Sequence, residues 1–496
     1  MKVKGFIFNT LFLIVIQLAI FLPAHADVFK AWKVGNLNKS FFQYPSQVCD
    51  ALYYELWPHL LDRYRPDNNG YDSPTTYSCG YFGQVLTKFG SAVLTTIDCP
   101  SGLIPSSDFS SCETGSMKGA ANDSVCTSPS TFAGNPINFT YGNKFQNEID
   151  LKSNTLQVSR FYNSLDGLWR HSFSTHLFFS DRSAVMVAAD GGETYFSFGD
   201  DGHAMGSNAG QLVRRSDSWI YNGPSREVLL FSLSGDLIEV RYIGGEIYKL
   251  SYSQVDAGRR ITVHNSYGES VILVENSRRE LKEVLSHSVH IVFLYNENRQ
   301  LYERRSSFGS ALSVRTYHYE NEYNTTLLTG ITDERGIRFA SWAYDRAGRA
   351  ISSQHSNSTG LVKISYKSGE YSVVTNELGK DTTYRYEVIS GIKRLVEIKG
   401  EPTPDCPASN SSYTYNERGQ VLTKTDAKGL ITTYDYNGRG LETSRTEASG
   451  TTLARTVTTE WDPERFLPIR VTEPDRITTY SYDVQGRELS RQTTSR

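Results

Sequence analysis

Tyr413-Thr-Tyr-Asn-Glu-Arg-Gly-Gln-Val-Leu-Thr-Lys-Thr-Asp-Ala-Lys-Gly-Leu-Ile-Thr-Thr-Tyr-Asp-Tyr-Asn-Gly-Arg-Gly440 is the stretch on which the fold is decided. A tyrosine-bearing run (Ser412 to Tyr415) enters a polar turn (Asn416, Glu417, Arg418, Gly419), leaves through Val421 to Thr425 and turns again at Asp426 to Gly429. Asn or Asp at the first turn position bonds its side chain to the backbone ahead, and glycine at the last accepts positive φ without a Cβ clash. Each half therefore reads as an arm of an antiparallel hairpin. Tyr415 starts one unit, and Tyr436-Asn437 starts the next.

Working outward, the unit recurs at Tyr344-Asp345-Arg346-Ala347-Gly348-Arg349 and at Tyr482-Asp483-Val484-Gln485-Gly486-Arg487. Looser copies stand at Tyr295-Asn296-Glu297-Asn298-Arg299 and Trp461-Asp462-Pro463-Glu464-Arg465. Steps of about 20 to 25 residues in the last third match two strands plus two turns, within the window of repeat architectures. The pattern Tyr-Asp-x-x-Gly-Arg resembles the YD repeat of bacterial Rhs proteins, the C components of Tc toxins and teneurins. The resemblance covers roughly Gly134 to Arg496 and implies tandem hairpins in a spiral curved sheet, part of a hollow β-cocoon shell around a cargo polypeptide.

The expected fold class is thus all-β, preceded by a small cysteine-containing module. The 496-residue chain has a net charge of -3 and a pI near 6.4. It lacks the basic footprint of a nucleic-acid or anionic-membrane binder. Abundant Tyr, Phe and Gly with few Met favour strands and turns.

Residues 1–26 read as a signal peptide: Lys2 and Lys4, an apolar stretch from Leu11 to Leu22, then Ala24-His25-Ala26 with cleavage before Asp27. Gln17 and Pro23 leave the run short of a comfortable span, and no later segment reads as one. The expected location is secreted or at the cell surface, periplasmic or outer. Residues 27–133 form the cysteine-containing module and linker, with a helix expected from Gln47 to about Trp57 and a strand pair within Phe82 to Asp98. Cys49, Cys79, Cys99, Cys112 and Cys126 are disulfide candidates in an oxidising compartment, and Cys406 stands apart. No C-x-x-C pair supports zinc. Connectivity is open, with Cys99 to Cys112 closing the shortest attractive loop.

Residues 134–300 resemble the region where Rhs shells begin, and 301–496 carry the repeats. Gly134-Asn135-Pro136, Tyr141-Gly142-Asn143-Lys144 and Glu148-Ile149-Asp150 resemble the family's opening motif, followed by Arg160-Phe161-Tyr162-Asn163-Ser164 and Trp169-Arg170-His171. Leu168 stands where family members have glycine, so a different local turn is expected. His171 and Arg160 suggest a base and an anion clamp. No nucleophile with an orienting acid accompanies them, which favours a packing role. His287 and His290 are a candidate metal pair, but three residues apart on a strand they point to opposite faces. Arg349, Arg439 and Arg487 either line a lumen or brace neighbouring tyrosines and turn carbonyls, and recurrence with the repeat favours bracing. Tyr344, Tyr415, Tyr436 and Tyr482 are expected to stack across hairpins. Only an exposed row of them would suggest glycan contact.

No phosphate-binding loop, H-E-x-x-H or G-x-S-x-G is present, so no catalytic residue, cofactor or metal is expected. In the resembled family catalysis belongs to a C-terminal toxin domain. The chain stops one arm past a repeat, as in a truncated member or one completed by a separate chain. The expected function is a secreted shell that encloses and delivers a polypeptide toxin, its partners being that cargo or the missing C-terminal part of the shell. The alternatives are a surface adhesion module binding cell-surface glycans, and a decayed remnant.

Overall fold

The computed structural model describes, before Thr131, only the backbone of six short strands and the pair Lys118 and Gly119. From Thr131 to Arg496 it describes everything except the connections 180–182, 199–202, 206–209, 256–257, 368–369, 390–391 and 401–409 and single turn positions. The expected signal peptide, the helix near Gln47, Cys49, Cys126 and Cys406 lie outside the described residues, as do the side chains of Cys79, Cys99 and Cys112. In the first part a sheet is ordered Asp27–Val34, Thr87–Cys99, Thr76–Tyr81, Gly70–Ser73. The pair expected within Phe82 to Asp98 is instead formed by Thr87–Cys99 with the strand before it, because no Gly, Pro, Asn or Asp interrupts the run from Ser91 to Ile97 to make a turn.

From His203 onward one 27-stranded sheet runs to Ser495 with every strand beside its sequence neighbours. Its pairs are antiparallel, as hairpin connections require. Among the described residues there is no α-helix, only a short 3-10 turn at Ser356–Ser358. Two smaller sheets precede it, one from Phe132–Ala133 to Leu168–His171 and one from His176–Phe179 to Glu193–Ser197. The second is joined to the large sheet where Leu177 N–H donates to Gly235 O at 2.9 Å.

The large sheet curls. A Cβ built on Gly245 would lie 3.5 Å from Arg487 Cδ, and Arg226 acts on Tyr482 through its charge. From Ile247–Val255 to Arg476–Tyr482 the sheet counts 21 strands. Laid flat at about 4.8 Å each they would span roughly 100 Å, so the contact needs about a full turn of the spiral. Bulges just before the tight turns, at Leu230/Phe231, Val274/Glu275, Ala343/Tyr344, Thr414/Tyr415 and Ser481/Tyr482, supply local bending and twist.

The core lies on one face of this wall. Ile261, Val263, Leu273, Ile291, Phe293, Tyr317, Ile331 and Trp342 are buried against Ile137, Phe139, Val158 and Tyr162 of the segment that opens at Gly134. After Ser411 few residues are buried, Tyr413, Tyr434, Leu441, Phe466 and Leu467 among them.

Candidate functional site

The repeat turn is built by one side chain. Asp345 Oδ1 accepts from Ala347 N–H (3.0 Å) and Arg349 N–H (2.9 Å), while Gly348, at φ +77°, lets the chain return. Asn416 does the same for Arg418 and Gln420, and Asn437 for Arg439 and Leu441. Asp483 accepts from Arg487 N–H at 2.8 Å, with Gly486 at φ +84°. In the looser copy at Tyr295 the glycine place is taken by Arg299 at φ +66°, a strained substitute.

The tyrosine has a polar role beside the ring packing expected of it. Its hydroxyl reaches back and donates to a carbonyl of the preceding unit: Tyr344 to Leu328 O (2.7 Å), Tyr366 to Ala350 O (2.6 Å), Tyr415 to Leu395 O (2.5 Å), Tyr436 to Val421 O (2.8 Å) and Tyr482 to Pro468 O (2.8 Å). Trp461 substitutes with its indole N–H on Glu442 O at 2.8 Å. A ring at the mouth of one turn thus ties it to the strand leaving the turn before. Burial pushes the Tyr436 phenol up to about 12, so it stays a donor at any ordinary pH.

The repeat arginines brace the same rim. Arg418 donates to Gly438 O at 2.8 Å, Arg439 to Asp462 O, and Arg465 to Asp483 O at 2.8 Å. Arg349 pairs with Asp345 (2.7 Å) and lies 4.4 Å from the centre of the Tyr366 ring. Arg487 pairs with Asp483 at 2.6 Å.

The opening segment has another character. Strand Asn143–Lys152 buries its polar residues: Gln146, Glu148 and Asp150 face inward, while Asn147 and Ile149 face solvent. The inversion exists because cations wait inside. Asp150 receives Arg160 through Nε (2.6 Å) and Nη2 (2.9 Å), and Arg304 through Nε (2.9 Å). Arg160 is fully buried, donates to Tyr317 Oη at 2.7 Å and stands over the rings of Phe293 (4.4 Å) and Trp169 (4.8 Å). Glu148 receives Arg315, which also pairs with Glu334. Trp169 Nε1 donates to Tyr319 Oη at 2.9 Å. Lys144 lies 4.3 Å from the Trp342 ring centre and donates to Gln146 Oε1 at 2.8 Å; burial drives its ammonium well below the usual range.

The remaining opening residues are pinned to the wall. Asn135 O accepts from Trp342 Nε1 (2.9 Å), and Asn135 N–H donates to Ser353 Oγ (3.1 Å). Gly134, at φ +62°, sits against Ser353, and Pro136 O accepts from Phe145 N–H at 3.2 Å. Gly142, at φ +83°, accepts Ala350 N–H at 2.9 Å, and a Cβ there would fall 2.4 Å from Arg349 Cβ. Tyr162 Oη donates to Thr326 O (2.7 Å) and accepts Leu328 N–H (2.9 Å). Asn163 joins Asn143 (2.8 Å) to Asp190 O (2.7 Å). Where Leu168 stands in place of the glycine expected from the resemblance, Gly167 at φ +68° makes the turn one place earlier, packed on Thr326.

His171 Nε2 lies 2.7 Å from Glu275 Oε1, and its Nδ1 accepts Phe173 N–H at 3.3 Å, which fixes the tautomer with the proton on Nε2. Burial would push Glu275 up, but the hydrogen bond from His171 and the Arg259 guanidinium hold it at about 2. His171 is spent on a buried pair whose other end is the wall. His287 lies in the turn after Leu281–Leu285 rather than on a strand, and His290 pairs with Glu283 at 3.0 Å. Among the described residues no group of three or more His, Cys, Asp or Glu is arranged to hold a metal ion. No helix among them is long and apolar enough to cross a membrane. Sequence reasoning missed Glu275, Arg304, Arg315 and Tyr317; the signal available was the run of polar residues at alternate positions from Lys144 to Asp150.

Two family models match the chain. The RHS Repeat model covers residues 415–452, and a model described as a domain of unknown function (DUF6531) covers residues 134–196. No curated protein matches. Similar solved structures include TcdB2-TccC3-TEV (13% identity, TM-score 0.37, 70% of this chain and 20% of that one) and TcdB2-TccC3 (10%, 0.31, 84% and 23%). The Tc holotoxin pore of Photorhabdus luminescens is another (10%, 0.27, 89% and 27%). The chain spans only about a fifth to a quarter of the length of these solved chains.

Proposed function

We propose, from the premise that this chain is an Rhs/YD-repeat protein, that it is an exported, non-catalytic wall segment that surrounds a polypeptide cargo and shields it until delivery in competition between cells. The observation that carries the reading is the single sheet, laid down strand after strand in sequence order and wound until Arg487 returns beside Gly245. A wall of this kind works by enclosure: one face meets the interior, where the opening segment is latched to part of it, and the other meets solvent. In this reading residues 1–26 direct export and are removed. Residues 27–133 form a disulfide-stabilised module, 134–300 start the wall and 301–496 extend it, with the partner being the cargo or a chain that completes the wall.

The test is protease protection. The full chain is co-expressed with the polypeptide encoded next to it, and the complex is treated with protease before and after denaturation. Cargo that survives in the native complex and is degraded after denaturation supports enclosure. Cargo cut at its free rate in a stable complex overturns it. Glycan contact through a tyrosine row draws little support from Tyr344, Tyr415, Tyr436 and Tyr482, which are buried or half-buried with their hydroxyls engaged. Dose-dependent binding on a glycan array would revive adhesion.

A further inference from the structure

Beside the turn at Asn163 to Gly167 lies a small acidic pocket that neither the repeats nor the wall accounts for. Its sides come from separate segments: Asn163 and Asp166 from that turn, Arg170 from the strand Leu168–His171, Asp190 and Gly191 from a second turn, and Glu193 from the strand Glu193–Ser197. Asn163 Nδ2 donates to Asp190 O at 2.7 Å and holds the two turns together. Inside it sits Lys118, whose side chain is 3% exposed, with Nζ 2.5 Å from Glu193 Oε1 and 3.3 Å from Asp166 Oδ2. Gly119 N–H donates to Asn163 Oδ1 at 3.0 Å.

We infer that this pocket is a docking site for a lysine-glycine pair, and that Lys118-Gly119 is the key fastening the chain before Thr131 to the start of the wall. Charge requires the lysine. Lys118 reaches Glu193 and Asp166, and Asp166 is also 2.8 Å from Arg170, so loss of Lys118 takes a cation from two carboxylates at once. A buried carboxylate left without its partner is strongly unfavourable. Arg170 and Lys118 overcome burial to hold the Asp166 carboxyl at about 2. Shape requires the glycine. Gly119 has φ +104°, and a Cβ there would stand 2.9 Å from Asp190 Oδ2 and 3.3 Å from Gly192 Cα. A longer residue at 119 would lift the lysine out of reach.

The experiment inserts a protease site at 127–130 in the full chain, beyond Cys126, cleaves it under reducing conditions, and follows whether the two pieces co-elute on dilution. The unmodified pair is expected to stay together. Lys118→Ala and Gly119→Ala are each expected to weaken retention at least tenfold, the second without altering any charge, and a wild-type peptide spanning Ser116 to Ala121 should displace the N-terminal piece where its Lys118→Ala counterpart does not. Separation of the unmodified pieces on cleavage would overturn the proposal, as would retention of the N-terminal piece at wild-type strength in both variants.

Discussion

The opening segment from Gly134 to His171 and the last repeats from Ser411 to Ser495 are made of the same strands and turns, yet they are held in different ways. In the first, polar residues are buried, and beside near pairs such as Arg160 with Asp150 they reach far along the chain: Arg160 to Tyr317, Asp150 to Arg304, His171 to Glu275. In the second, the hydrogen bonds that matter join a turn to itself or to the turn before or after it, and few residues are buried. The difference separates two jobs. The repeats extend the wall turn by turn, and the opening segment packs against one face of it.

Breaking a buried charge tests this contrast most severely. Arg160→Met leaves Asp150 and Glu148 undercompensated inside and is expected to destabilise the chain by about 3–5 kcal/mol in a urea melt, whereas Arg487→Met, with a side chain 58% exposed, changes it by under about 1 kcal/mol. Equal losses would erase the distinction.

Glycine exchange gives the next largest effect. Gly142→Ala and Gly429→Ala both place a side chain at positive φ, for about 1–2 kcal/mol. At Gly142 the new Cβ also strikes Arg349, whereas at Gly429 it meets nothing within 4 Å. The first variant is therefore expected to lose about 1–3 kcal/mol more than the second in the same melt.

Removing a latch should matter less. Tyr344→Phe strands the Leu328 carbonyl at a buried position and is expected to lose about 1–2 kcal/mol, against about 0.5–1 kcal/mol for the half-buried Tyr482→Phe. Hydrogen exchange at Gly330–Thr332 should quicken in the first variant and stay unchanged in the second.

The mildest test is acidity. Burial, then Arg279, hold His176 down at about 4, so the fold prefers it neutral. The stability this contributes is complete above about pH 6.5, the ordinary histidine value, and is lost as pH falls through 4. Thermal melts of the native chain should therefore decline across that window, and His176→Gln should flatten the decline. An unchanged slope in the variant would remove His176 as its source.

Local chemistry made the fold legible. Alternation of side chains, an Asx residue at the start of each turn and a glycine at its end act within a handful of residues, so Asp345, Asn416 and Asn437 could be read directly from sequence. The opening motif was legible as a motif only. Arg160, Trp169 and His171 stood out, but apart from Asp150 on the neighbouring strand the polar partners of these three, Tyr317, Tyr319 and Glu275, lie about a hundred residues or more away and meet them only because the sheet curls. Ile149 shows the same limit. Its hydrophobicity points inward, and it is 53% exposed because the neighbouring polar residues answer to buried arginines. The tyrosine hydroxyls were missed for a different reason: a ring on a strand advertises area, and nothing in its spacing reveals which carbonyl lies within reach.

Every one of those hydroxyls points toward the N-terminus, to a unit already synthesised. A chain threading out of a narrow exit can therefore latch each tyrosine onto a finished neighbour as it emerges, while the arginine of that turn (Arg418, Arg439 or Arg465) is braced only when the next turn arrives. Docking at the growing end follows from the direction of the tyrosine bond, and its completion from the opposite direction of the arginine bond.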